Sequence, residues 1–210
     1  MQILYSRIYR IIELLVIFVA LPVLYRLHII PGSKFVPLLV VFGYSIFILL
    51  KDKEFDRKKL GFNNFHTWKY IIIRFFVLAI LLTAFVVMFS PGSFLYLVKN
   101  RPWLWLAIMI FYPVFSVYPQ EFIYRPFFYR RYRFLIGNKH LFDFFNATIF
   151  CLLHIIFENV IALIFSFMAG YIFARTYRKS QSLLVVSVEH ALYGCLIFTN
   201  GLGQYFYIGS

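Results

Sequence analysis

Acidic residues are scarce in this chain. Eight Asp and Glu stand against 21 Lys and Arg among 210 residues, a formal charge of +13 at neutral pH. Cysteine is scarcer still. Cys151 and Cys195 both lie in apolar runs, so they form neither a disulfide framework nor a metal motif, and are small core hydrophobes. There is no internal repeat, no low-complexity tract and no alternating strand pattern, which excludes solenoids and gives a β-barrel no support. The apolar N-terminal stretch lacks a small-residue cleavage site, so a first membrane helix is expected rather than a removed signal peptide. The positive charge does not point to nucleic acid. Lys and Arg cluster between apolar runs instead of covering one solvated face, as loops against an anionic leaflet would.

What the chain has in abundance is apolar surface. Hydrophobic residues make up 62% of it and its mean hydropathy is +0.81. Soluble domains run at about 45–50% apolar, so the bilayer is the solvent this composition fits. Runs long enough to cross are Ile8–Ile30, the shorter Phe35–Leu50, Tyr70–Ser90 and Trp103–Pro119, the last continuing through Gln120–Phe134 past a kink at Pro119. Leu141–Ala174 is too long for one crossing, and Glu158-Asn159 near its middle suggests a hairpin. Ser182–Asn200 completes the set. Only helices and closed barrels satisfy the backbone in lipid. The expectation is therefore an all-α, polytopic membrane helical bundle with about seven transmembrane helices, forming one integral membrane domain over residues 1–210.

With the N-terminus on the cytoplasmic side, only Arg26, Lys34, Lys99 and Arg101 fall on outer segments. Arg74 and Arg125 are embedded, and every other Lys and Arg falls on the inner side, as the positive-inside rule requires. The membrane expected is the plasma membrane of a prokaryote.

Ionisable groups in apolar segments cost roughly 2.5–3.5 kcal/mol each on insertion scales, so they mark partners or function. Five of the eight acids lie in or beside apolar segments: Glu13, Asp143, Glu121, Glu158 and Glu189. Glu13 and Asp143 are most simply helix-end residues. His154 and His190 are deep, while the other histidines lie at ends or in loops. Glu121 and Arg125 are four apart, on one helix face, as are His154 and Glu158. Phe150 precedes His154 by one turn, and His190 precedes Gly194 by one turn. Each has a plainer reading. Glu121–Arg125 would be a buried structural pair, a lone His a hydrogen-bonded packing residue, and Glu158 a residue of the hairpin turn. The coincidence of three deep sites on separate helices favours a shared task.

Gln120-Glu121-Phe122-Ile123-Tyr124-Arg125 resembles the Glu-Glu-x-x-x-Arg motif of the CPBP family, the CAAX prenyl proteases and bacteriocin-processing (ABI-like) membrane endopeptidases. Phe150-Cys151-Leu152-Leu153-His154 is similar to that family's Phe-x-x-x-His motif, and His190-Ala191-Leu192-Tyr193-Gly194 to its His-x-x-x-Asn/Asp motif. The likeness spans about residues 103–200. It implies peptide-bond hydrolysis in prenylated, peptide-like or membrane-protein substrates. Carboxylate and imidazole groups would activate water, and the Asn and other donors would steady the oxyanion. Two positions depart: Gln120 replaces the first Glu, and Gly194 replaces the Asn or Asp. Glutamine cannot accept a proton from water, and Gly194 has no side-chain donor. The expected site is then Glu121 or Glu158 as base with His154, His190 steadying the intermediate, and Arg125 holding the carboxylate beside Gln120. No cofactor is expected. Zinc held by His154, His190 and Glu121 is the minor alternative, since no HExxH spacing is present. Membrane lipids are the other expected partners. Competing classes are an inactive binding or immunity-type membrane protein on the same scaffold, and a small transporter with a proton or ion path through Glu121, Arg125 and the His residues.

Overall fold

Long apolar stretches broken by Pro, Gly and charge fold as helices because no other open structure pairs every backbone group in lipid. A computed structural model describes residue 4, residues 6–62 and residues 66–206, and every regular element among these is helical. Six helices are long and apolar enough to cross a membrane: Arg7–Arg26, Thr67–Phe89, Pro102–Leu135, Lys139–Phe157, Val160–Ser180 and Leu183–Asn200. A shorter apolar helix, Phe35–Lys51, makes the seventh. The protein is an all-α polytopic membrane protein. Its helix between Lys139 and Ser180 is interrupted at Glu158, a non-glycine residue with φ of 61°, at the hairpin expected there.

Three segments widen from α to π-type turns: Val16–Ala20, Pro113–Val117 and Ile123–Phe127. Proline removes a donor and crowds the preceding turn, and a wider turn accommodates it. Pro22, Pro113 and Pro126 lie in or beside these turns. The short α-helical piece Tyr118–Phe122, which carries Gln120 and Glu121, is thus bracketed by a π-type turn on either side. The expected kink at Pro119 becomes a helix of varied pitch that runs unbroken to Leu135.

The described residues divide into two compact units interleaved in sequence. The first comprises the chain up to Asp56 and Phe122–Arg175; the second comprises Arg57–Glu121 and the chain from Thr176. In the first unit, Phe18 is buried among the rings of Tyr124, Phe128 and Tyr132, with centroids 5.2, 5.2 and 5.8 Å away in edge-to-face contact. Such pairs contribute about 0.5–1.5 kcal/mol each beyond area burial. Gly170 lets its helix approach Phe150: a Cβ there would lie 2.9 Å from that ring. Between the apolar layers runs a buried ion pair. Arg131 reaches Glu13 through Nε to Oε2 at 2.7 Å and Nη2 to Oε1 at 3.3 Å, while the Tyr44 hydroxyl donates to Oε1. Glu13 is therefore no helix-end group and Arg131 no loop charge; the Pro102–Leu135 helix extends far enough to bury the guanidinium. At the end of Phe35–Lys51, Arg130 grips Asp52 and Glu54. Those hydrogen bonds hold the Asp52 carboxyl below its ordinary value.

In the second unit, side-chain hydrogen bonds cross between helices. Trp105 Nε1 donates to Thr199 Oγ1 at 3.0 Å, and Asn200 Nδ2 to Thr83 Oγ1 at 3.1 Å. Arg74, the embedded cation of the third crossing, meets Glu189 at 2.8 Å and also donates to Thr176 Oγ1. The Tyr193 hydroxyl donates to the same Glu189 oxygen at 3.0 Å.

Candidate active site

Glu121 sits on the short α-helical turn between the two wide turns, and its side chain is fully buried. His190 lies in the middle of Leu183–Asn200, which starts cleanly because the Ser182 hydroxyl accepts from the Val185 N–H. The two meet within the second unit. His190 Nδ1 is 2.8 Å from Glu121 Oε1, and the imidazole is only 8% exposed. A carboxylate can only accept, so Nδ1 carries a hydrogen, and the lone pair of a neutral ring lies on Nε2. Nε2 faces the Tyr112 hydroxyl at 3.2 Å. The order is carboxylate, imidazole, hydroxyl, with the carboxylate fixing ring orientation and tautomer as in a hydrolytic triad.

Tyr112 is the member that sequence reasoning missed. It is one of 16 tyrosines and sits in an uncharged aromatic crossing, 78 residues before His190. The one available signal was Gly194. A Cβ at that position would lie 2.3 Å from the Tyr112 hydroxyl and 2.4 Å from its ring. The phenol occupies the space that a side chain at the last position of the third motif would need.

Gln120 is beside Glu121 in sequence but serves a different contact. Its Nε2 donates to Ser116 Oγ at 2.9 Å, and its Oε1 is buried without a hydrogen-bond partner. Glu189, adjacent to His190, is committed to Arg74 and Tyr193.

The remaining candidates lie in the first unit. Arg125 is fully buried, donates to Asn146 Oδ1, and stacks over Phe150 with 5.3 Å from guanidinium carbon to ring centroid. Asn146 is fixed in turn by donating to the Tyr124 carbonyl at 2.9 Å. His154 caps the Lys139–Leu153 helix. Its Nδ1 is 2.9 Å from the Phe150 carbonyl, which can only accept, so this ring too has its hydrogen on Nδ1. The i, i+4 spacing of the second motif thus becomes a ring anchored to its own helix. Glu158 lies at the hairpin, 40% exposed. Its carboxylate partners are Arg26 at 2.9 Å and His28 at 3.3 Å rather than His154. The helical register that would align His154 with Glu158 ends at His154, where the chain tightens into a 3-10 turn. An apolar cavity in this unit is lined by residues including Phe18, Leu21, Tyr124 and Leu153, with Lys34 among them, and by none of Arg125, His154 or Glu158. Burial pulls the Lys34 ammonium below its ordinary value.

Among the described residues no three His, Cys, Asp or Glu side chains are grouped as a metal ion requires. The dyad can orient an imidazole, accept a proton at Nε2 and stabilise the resulting imidazolium in a nearly dry setting. No curated protein and no solved structure was found to match the chain. One family model does: residues 99–196, the stretch that holds Glu121, His154 and His190, match the type II CAAX prenyl endopeptidase Rce1-like family, which bears out the likeness read from the three motifs.

Proposed function

We propose that this protein is an intramembrane endopeptidase of the CAAX-protease kind, cleaving prenylated, peptide or membrane-protein substrates with His190 as its general base. The observation that carries the reading is the buried Glu121–His190 contact at 2.8 Å. A lone histidine in lipid needs only one hydrogen-bond partner to be tolerated. A carboxylate on Nδ1 and a hydroxyl on Nε2 arrange it for proton transfer.

In the mechanism, Glu121 holds the Nδ1–H and so leaves the ring's lone pair on Nε2. Water bound at Nε2 gives it a proton as the water oxygen bonds to the scissile carbonyl carbon, and the carbonyl electron pair moves onto its oxygen. Glu121 stabilises the imidazolium that results. Collapse of the intermediate breaks the C–N bond, and the Nε2 proton passes to the leaving amine. The carboxylate absent at Gln120 is not needed for this route, because the imidazole takes its place as base. Arg125 and Asn146 would brace the end of the first motif through their own hydrogen bond. The basic loops would gather substrate at an anionic leaflet, with the N-terminus on the cytoplasmic side of a prokaryotic plasma membrane.

Gln120 supports a second reading, an inactive relative that binds peptides or acts as an immunity-type protein, since its amide cannot accept a proton and is already bonded to Ser116. One experiment separates the two. Purified protein in detergent is given internally quenched peptides, including farnesylated peptides ending in a CAAX sequence. Cleavage by wild type, lost to background in His190→Ala and lowered at least about 10²-fold in Glu121→Gln, supports the enzyme. Wild type that binds these peptides without cutting them favours the second reading and removes the first.

A further inference from the structure

We propose that Tyr112 is a catalytic residue at this site, supplying the oxyanion donor for which the third motif has no side chain at Gly194. The inference rests on the proteolytic reading above. Three facts converge on it. The hydroxyl is 3.2 Å from His190 Nε2, so it borders the atom that would activate water. It fills the position of an absent side chain, since a Cβ built on Gly194 falls 2.3 Å from the phenol oxygen. And the hydroxyl is not committed elsewhere, because among the described residues its hydrogen bond is the one to His190.

The third motif, one turn from His190 to residue 194, places a side chain from residue 194 beside the imidazole. Here the glycine vacates that space, and a residue from the Pro102–Tyr112 helix enters it with a hydroxyl in the same place. The ring is held edge-on by His190 and by Phe198, with centroids 6.2 and 5.4 Å away, so the hydroxyl is positioned by packing as well as by its bond. A phenol is a stronger hydrogen-bond donor than a carboxamide and remains neutral at working pH.

In the resting site the phenol hydrogen points to Nε2. When a substrate carbonyl enters, rotation about the C–O bond turns that hydrogen to the carbonyl oxygen and frees the Nε2 lone pair for water. Charge builds on the carbonyl oxygen as the water oxygen attacks, and the Tyr112 hydrogen bond strengthens at that moment. No proton leaves the phenol, so the balance of the hydrolysis is unchanged. The donor acts on the intermediate more than on the bound substrate, which raises kcat rather than lowering KM.

The test compares Tyr112→Phe with wild type on the quenched farnesylated peptide. Removal of one oxyanion donor elsewhere costs about 10²–10³-fold in kcat, and that loss is expected here with KM within about threefold of wild type. Thermal melting in the same detergent reports whether the ring still packs. A second variant pair guards against misfolding. Tyr112→Ala combined with Gly194→Asn returns a donor from the third motif into the vacated space. It should cleave faster than Tyr112→Ala alone, whereas Gly194→Asn alone should be impaired. A wild type that cleaves through His190 while Tyr112→Phe keeps its full kcat overturns this inference and leaves the proteolytic reading standing. A wild type that cleaves nothing overturns both.

Discussion

Replacing Gly194 by alanine would set a Cβ 2.3 Å from the Tyr112 hydroxyl oxygen and 2.4 and 2.6 Å from two of its ring carbons. Contacts that short require the ring to move, and Phe198 and His190 pack against it. Overpacking of this kind costs about 1–3 kcal/mol. Against it stands the intrinsic gain from alanine over glycine in a helix interior, about 0.5–1 kcal/mol, since Gly194 lies well inside Leu183–Asn200. The net effect in the wild-type background is a loss of up to about 2.5 kcal/mol. In a Tyr112→Ala background the obstruction is gone and only the helix gain remains, so the same substitution should stabilise by about 0.5–1 kcal/mol. The sign reversal is the diagnostic, with a coupling energy of about 1–3 kcal/mol between two residues on different helices. Thermal melting and denaturant titration of the four proteins in one detergent measure it. Equal effects of Gly194→Ala in both backgrounds would show that Tyr112 does not occupy this space, and the account of the site would fail with it.

Two further perturbations probe the first unit. Glu13→Ala leaves Arg131 buried without its carboxylate, and the loss should approach 3–5 kcal/mol, read as a large fall in melting temperature that Arg131→Met in the same chain partly reverses. Asp52→Asn tests the loop clamp to Arg130. Because the folded carboxyl is held below its ordinary value of 3.8, its contribution is present above that pH and lost as pH falls below it. Wild type should therefore melt higher than Asp52→Asn at neutral pH, and the two curves should merge under acid; a gap that persists there would refute the assignment.

The crossings were legible because the bilayer imposes one rule on every residue of a segment, and a local run of apolar side chains suffices to show it. The hairpin at Glu158 was legible for the same reason: Leu141–Ala174 exceeds one crossing, and a charged pair near its middle has to reach the interface. Pairings were not legible. Arg131 and Glu13 are separated by 118 residues, and nothing around Glu13 distinguishes a helix-end acid from a buried one. Arg74 stood out as embedded, but its partner Glu189 looked like a neighbour of the site. Spacing in sequence also stops reporting position in space at His154. Four residues put His154 and Glu158 on one face only while the helix continues, and it tightens at His154 and reverses at Glu158. In the second unit, two motifs separated by 69 residues do meet, at Glu121 and His190. Motif order alone gave no view of Tyr112, because the helix that carries it widens at Pro113–Val117 and shifts the face its residues present.

Gln120 offers the sharpest choice between a working site and a decayed one. Its amide nitrogen donates to Ser116, and its carbonyl oxygen is buried without a partner, so the pocket tolerates an acceptor that it does not satisfy. A carboxylate in its place would accept the Ser116 hydroxyl hydrogen on one oxygen and leave the other for water. It would also bring a second negative charge next to Glu121 in sequence, with desolvation working against both. If His190 is the base, Gln120→Glu gains nothing at the proton-transfer step and should lower stability while leaving kcat at or below wild type. If the chain has lost a base that it once used, the same substitution should raise cleavage. The outcome is read from initial rates on the quenched peptides over a range of pH. A rise in kcat in Gln120→Glu would move the base from the imidazole to the carboxylate and reduce the Glu121–His190 contact to support of the intermediate.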